Sequence, residues 1–582
     1  MKSFLSFIIV FYLIFSIIPN AYSLPAKLGE IKASQPDGSN VTVRLEGNEH
    51  HKRIYSLDGY LLTTDSLGYY VYADIDSNGF PVPTDIKAQD IENRDKNTIK
   101  RIERLKGIYE SYPERAGGAE ISTRGIGSVD PQFIAYGEQR VLVILVEFAD
   151  KKFTIENPQE YYFRMLNEAG FADHGATGSA KDYFISNSSG LFVPQFDVYG
   201  PVELGKNYSY YGKNDFWGYD KNPHEMVIEA CGLLNDEIDF TIYDSNKDGV
   251  IDNVYVFYAG YGEADGGGAN TIWPHSYDID FVSFRPYIFD GIRLNHYACS
   301  NELQKANDMP DGIGTFCHEF SHVMGLPDLY STTYNSAFTP LYWDILDQGS
   351  YNNLSRTPPN YSSFERYALD WILPEPLTEG AFLLSPLNES NQAYIVNTED
   401  NDEFFLFENR QQSGFDSFIP GHGMLIWHID FDRKKWIDNT VNNTPGHQNV
   451  DLIEADNIRT PETFDGDPFP GVNNVSEFSY NTIPAFITWK KENMPFRLFE
   501  ITENEDNNIT FNVEEYELSG MELNSISSES ILINGNIITC LGKGEIFSAD
   551  GRKIATLKDD SLQLSSGVYI FKGNEIIKIL VK

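Results

Sequence analysis

Gly314-Thr315-Phe316-Cys317-His318-Glu319-Phe320-Ser321-His322-Val323-Met324-Gly325-Leu326-Pro327-Asp328 decides how the rest of the chain is read. Residues four apart share one face of a helix, so His318 and His322 can aim two imidazole nitrogens at one point. Glu319 lies beside that point, where a carboxylate can take a proton from a metal-activated water. Glycine weakens a helix interior but reaches a left-handed conformation without steric cost, so Gly325 predicts the helix end and a sharp turn. Pro327 forbids resumption of the helix. Asp328 then returns beneath the histidines as a third ligand. Two neutral imidazoles and one carboxylate leave a fourth position open, the arrangement of catalytic rather than structural zinc. A bare H-E-x-x-H also occurs on surface helices with solvated histidines. Here Phe316, Phe320, Val323, Met324 and Leu326 predict a largely buried helix, and buried histidines beside a glutamate need a partner such as a metal.

With 582 residues, 41% of them hydrophobic, the chain is too long for one core and predicts several domains. Its formal net charge of -41 argues against a nucleic-acid partner, since phosphate binding needs basic patches. The acidic excess fits an exported protein with cation sites, or simple solubility. Met1-Lys2-Ser3, the apolar run from Phe4 to Ile18 and the small-residue end at Ser23 read as a signal peptide over residues 1–23. That run is shorter than the roughly 20 residues of a membrane-spanning helix, so no transmembrane segment is expected after cleavage. Export permits disulfides. A Cys299–Cys317 bridge would pin the histidine-bearing helix to the segment before it, whereas Cys231 reads as a buried free thiol.

Residues 24–138 show short strand-like runs at Val41–Leu45, Gly59–Thr64 and Gly68–Ala73, then a charged helical stretch and a Pro/Gly-rich linker from Tyr112 to Asp130. They read as a propeptide with a cuttable linker, or as an accessory domain. Residues 139–373 open on a buried strand at Arg140–Phe148. Helices are expected at Asn157–Asn167, Ser179–Ser186, His224–Leu234 and Tyr361–Ile372, with strand from Phe192 to Tyr210. Asp244, Asn246, Asp248, the Val250 carbonyl and Asp252 form a D-x-N-x-D-G loop that suits calcium, though an Asp/Asn-rich turn is the plainer reading. Gly260–Asn270 reads as a flexible loop near the cleft, and His275 and His296 as packed or cleft-lining residues. Residues 374–516 are strand-rich, a β-sandwich-like region in which His422, His428 and His447 are structural or form a second metal site. Residues 517–582 form a small β module with D-G and S-G turns. The fold class is α+β.

The zinc stretch resembles the immune inhibitor A family of secreted bacterial metalloproteases, which are metzincin-like. The likeness extends to Ala176–Phe184, Trp343–Asn352 and Gly423–Asp430. It implies zinc endopeptidase activity on proteins or peptides, structural calcium and synthesis as a zymogen. His318, Glu319, His322 and Asp328 match the extended motif. The family's methionine under the zinc is Leu346 here, of similar volume. Glu365 is the alternative third ligand, in the style of zincins with a distant glutamate. The tail resembles the C-terminal sorting domain of the type IX secretion system of Bacteroidetes, through Ala549–Arg552 and Gly567–Ile570, which implies handling by secretion machinery. The expectation is a monomeric, secreted or surface-located zinc endopeptidase with Glu319 as general base. Tyr351 is either an oxyanion donor or a packed tyrosine, and a residue of Leu24–Arg140 blocks the open zinc position. The alternative is an inactive protease-fold adhesin.

Overall fold

The computed structural model describes residues 22–46, 53–65, 67–75, 81–105, 133–215, 218–283, 285–333 and 337–516, with parts of 531–581. Residues 1–21 of the expected 1–23 signal peptide, the linker around 112–130 and the 549–551 turn lie outside the described residues. The chain divides into two compact units, Met1–Glu514 and Glu515–Lys582.

The first unit begins with β1 (Tyr22–Ser23), followed by β2 (Ile31–Ser34), β3 (Asn40–Glu46), β4 (Arg53–Ser56), β5 (Leu61–Thr64), β6 (Tyr70–Ile75) and β7 (Pro81–Lys87). Strands β2 to β7 pair with their sequence neighbours as an antiparallel meander. Their buried face, with Val41, Val43, Leu62, Tyr70 and Tyr72, closes on Ala264 and Trp273 of the following part of the chain. Helix α1 (Lys96–Ile102) starts at Asp95, whose carboxylate accepts from the Thr98 amide.

Next come β8 (Gly137–Glu147), α2 (Pro158–Asn167), α3 (Ala180–Asn187), β9 (Phe192–Glu203), α4 (Tyr208–Gly212), α5 (Pro223–Leu233) and β10 (Val254–Tyr261). They are followed by β11 (His275–Asp278), β12 (Tyr287–Phe289), β13 (Ile292–Leu294), β14 (His296–Leu303) and α6 (Ile313–Val323). The main sheet runs β1-β11-β14-β10-β8-β9. Strands β9, β8, β10 and β14 are parallel, while β11 is antiparallel to β14. Val141 to Val146 are buried on both faces, which is why this stretch reads as one apolar run rather than an alternating one. Val141, Val143 and Leu145 meet α2, α3 and α6, whereas Leu142, Ile144 and Val146 meet α5. The helix starts follow local chemistry. Pro158 opens α2, and Ser179 with Asp182 makes a capping box at α3.

Residues from 375 onward build two sheets, Glu375–Pro376/Tyr394–Asn397/Glu403–Arg410/Gly423–Asp430/Val450–Leu452 and Gly380–Leu384/Ile509–Glu515/Phe496–Glu503/Glu477–Phe478. Phe405, Phe407, Met424 and Ile426 pack between these two sheets. The alternate residues Phe404, Leu406, Leu425, Trp427 and Ile429 instead join the core of α2, α3 and α6. In the second unit, Lys543–Ser548, Lys553–Lys558, Gly567–Lys572 and Ile576–Val581 form an antiparallel four-stranded sheet. Mixed helix and strand content agrees with the α+β expectation. No helix among the described residues is long and apolar enough to cross a membrane.

Four expectations need correction. The strand expected from Phe192 to Tyr210 ends at Glu203, and Tyr208–Gly212 is helical instead. Cys231, Cys299 and Cys317 are free thiols. Cys299 faces the α5 core and Cys317 the α2/α3/α6 core, so the sheet stands between the two. The helix expected over Tyr361–Ile372 is only Ser363–Ala368. Asp370 takes a left-handed φ of 57°, and the Trp371 amide donates back to the Arg366 carbonyl, which closes the helix early. The stretch Gly260–Asn270 is not an open loop. Glu263, Ala264 and Asp265 are buried, and the Ala264 carbonyl accepts from the Lys27 amide.

Candidate metal centre

Every residue of α6 is buried. Gly314 allows this depth, because a Cβ there would lie 2.0 Å from the Ser350 carbonyl oxygen. The helix ends as the glycine predicted. Gly325 has φ of 93°, its amide donates to the His322 carbonyl, and the Leu326 amide donates to the Ser321 carbonyl. This turn carries Asp328 back under the helix.

Each histidine donates its Nδ1 proton to a main-chain carbonyl, His318 to Ile345 at 2.7 Å and His322 to Leu326 at 2.8 Å. A carbonyl can only accept, so these contacts fix the tautomer and leave both Nε2 atoms as lone-pair donors for a ligand bond. The two Nε2 atoms are 3.2 Å apart, and Asp328 Oδ1 lies 3.3 Å and 3.2 Å from them. Among the described residues, His318, His322 and Asp328 are the group of such side chains whose ligand atoms all lie within 4.8 Å of one another. Asp328 Oδ1 is buried and receives no hydrogen bond. Three acceptor atoms this close repel one another unless positive charge lies between them, so the donor set fits a divalent cation.

Asn439 steadies the aspartate. Its Nδ2 donates to Asp328 Oδ2 at 2.6 Å, and its Oδ1 accepts from the Asp328 amide at 2.8 Å. Trp436 reaches the same turn, donating Nε1 to the Gly325 carbonyl. Neither residue carries a signal in the sequence, because the contact spans 111 positions. Leu346 is fully buried, and its carbonyl accepts from the Leu329 amide beside Asp328.

Glu365, the alternative ligand, is engaged elsewhere. It caps its own helix through the Ser362 amide. Burial and the neighbouring Asp344 carboxyl push its acid well up. His275 contacts the Trp273 carbonyl and the Tyr297 hydroxyl, and His296 contacts Asp278. His422, His428 and His447 pair with Glu503, Glu403 and Asp430. The loop from Asp244 spends much of its oxygen on its own amides, with Asp244 accepting from Asp248 and Gly249. Asp252 Oδ1, however, is buried without a donor, and burial pushes its acid up to about 6.

The N-terminal segment enters the site. Strand β1 pairs antiparallel with β11, Ser23 opposite His275. The Leu24 amide donates to Glu319 Oε1 at 2.9 Å. Trp273 Nε1 donates to the Leu24 carbonyl, the Tyr351 hydroxyl to the Pro25 carbonyl, and Gln348 Nε2 to the Ala26 carbonyl, at 2.8, 2.8 and 3.0 Å. Tyr351 is therefore a carbonyl donor rather than a merely packed ring.

Residues 135–373 match the family described as immune inhibitor A peptidase M6, catalytic domain. The pre-pro-metalloprotease PrtV of Vibrio cholerae serotype O1 is 30% identical over 288 residues, which cover 41% of this chain and 31% of that protein. Immune inhibitor A of Bacillus thuringiensis subsp. alesti is 27% identical over 267 residues, covering 39% of this chain and 38% of its own. The matched region thus spans only 31% and 38% of the length of these curated relatives.

Proposed function

We propose, from the match of residues 135–373 to the immune inhibitor A peptidase M6 catalytic domain, that the chain is a secreted zinc-dependent endopeptidase made as a zymogen. The observation that carries this reading is the convergence of two Nε2 atoms and one carboxylate oxygen beside a buried glutamate. His318, His322 and Asp328 would hold the zinc ion. A zinc ion there supplies Lewis acidity and brings the acidity of a bound water towards neutral pH. Glu319 is the residue that would take a proton from the attacking water and return it to the departing nitrogen. The Leu24 amide donating to Glu319 Oε1 supports this role. Tyr351 donates to a substrate carbonyl, as it does to that of Pro25. Strand β11, antiparallel to β14 and covered on its outer side only by the short β1, supports a metzincin-like cleft.

The segment Leu24–Leu28 supports latency. It takes the hydrogen-bonding capacity of Glu319, Tyr351 and Gln348 that a substrate would use. Purified full chain should carry about one zinc ion per molecule and cleave casein slowly. The same protein nicked in the 112–130 linker and freed of its N-terminal piece should cleave casein faster by one to three orders of magnitude. Equal rates before and after nicking would remove the zymogen reading, and absence of zinc in both would remove the peptidase reading.

The loop Asp244–Asp252 is proposed as a structural calcium site, supported by the buried Asp252 oxygen without a donor. A ligand that binds only the folded chain stabilises it, so removing calcium with a calcium-selective chelator should lower Tm by roughly 3–6 °C. Asp252→Ala should abolish that dependence, and a melt indifferent to calcium would leave an ordinary turn. The tail is proposed to be read by secretion machinery, on its sequence resemblance alone.

A further inference from the structure

We infer that the cleft selects peptides with a basic side chain at the fourth position after the cleaved bond, and that Asp265 is the residue that reads it. This rests on the peptidase reading and on Glu319 meeting the departing nitrogen. With the Leu24 amide at Glu319, Leu24 occupies the first position after the bond and Lys27 the fourth. The contacts to Leu24, Pro25 and Ala26 go to main-chain carbonyls, from Trp273, Tyr351 and Gln348. They would hold any sequence. Pro25 has no amide hydrogen, so none is needed at the second position.

Charge is read only further along. Lys27 Nζ lies 2.9 Å from Asp265 Oδ1, with its side chain 19% exposed and that of Asp265 9%. The ammonium also lies 5.6 Å from the centre of the Tyr351 ring. Asp265 is held in place for this contact, since its Oδ2 accepts from the Lys305 amide at 2.6 Å. Lys27 is fixed at its main chain too, its amide donating to the Ala264 carbonyl. A buried carboxylate on a tethered loop, met three residues along the segment from Leu24, discriminates by charge at that position. A charge-assisted hydrogen bond of this kind in a partly desolvated place corresponds to about tenfold or more in kcat/KM.

The test uses nicked, zinc-loaded protein freed of its N-terminal piece and three quenched fluorescent peptides. They share Leu-Pro-Ala after the cleaved bond and carry Lys, Met or Glu next. Lys should exceed Met by about tenfold, with Glu slowest. Asp265→Asn should collapse the Lys-to-Met ratio, and Asp265→Lys should reverse the order in favour of Glu. Affinity of the Lys and Met peptides for Glu319→Gln protein, read by anisotropy, should differ in the same ratio. Cleavage of all three at equal rates, or a Lys preference untouched by Asp265→Asn, overturns the assignment and leaves the peptidase reading standing. In that case Lys27–Asp265 is only a fastening of the N-terminal segment. No cleavage of any peptide, with zinc bound, overturns both.

Discussion

Glu319→Gln should remove nearly all peptide hydrolysis while zinc content and melting temperature stay close to those of the parent. Glu319 is fully buried on α6 and lies between the two histidines in sequence. Its Oε1 accepts a hydrogen bond from a main-chain amide in the cleft. Glutamine has the same shape and can still present an oxygen to that amide. It cannot take a proton from water or return one to a departing nitrogen. Loss of a positioned general base costs roughly 10²- to 10⁴-fold in rate. The measurement is casein or peptide cleavage beside elemental zinc analysis. Parental turnover in the glutamine protein would assign the base elsewhere.

Asp328→Ala should instead strip the metal. The alanine protein keeps both Nε2 atoms but loses the oxygen 3.2 Å and 3.3 Å from them. Zinc should leave on dialysis against a chelator that the parent withstands, and hydrolysis should fall with it. Asn439→Ala gives an intermediate case. It leaves the three ligands but removes both hydrogen bonds that orient the aspartate. Outer-shell losses of this kind weaken metal binding by roughly 10- to 100-fold. Competition with a zinc-binding dye ranks the three proteins. If Asp328→Ala holds zinc as the parent does while Glu365→Gln releases it, the third ligand is Glu365.

The centre itself was largely legible. Helical spacing places His318 and His322 on one face, and a glycine free to adopt positive φ places Asp328, all within 15 consecutive residues. The β8 run was legible because a strand buried on both sides loses its alternation. Asn439, Trp436 and the segment at Leu24 were not legible, because each reaches the centre through tertiary contact from far along the chain. The Cys299–Cys317 bridge failed for a related reason. Nearness in sequence did not reveal that the sheet separates the two thiols. The helix after Tyr361 ran short because Asp370 adopts a conformation usually left to glycine.

The strands Glu403–Arg410 and Gly423–Asp430 belong at once to two interiors, alternate side chains going to each. The region that carries the chemistry therefore has no wall of its own on that side. Ended at residue 373, it would present raw oil to water where Leu406, Leu425 and Trp427 now lie. Cutting the chain at that border should therefore destabilise both interiors. Whatever lineage inherits the centre must inherit the neighbouring sandwich with it, and heat should melt the two together in one transition.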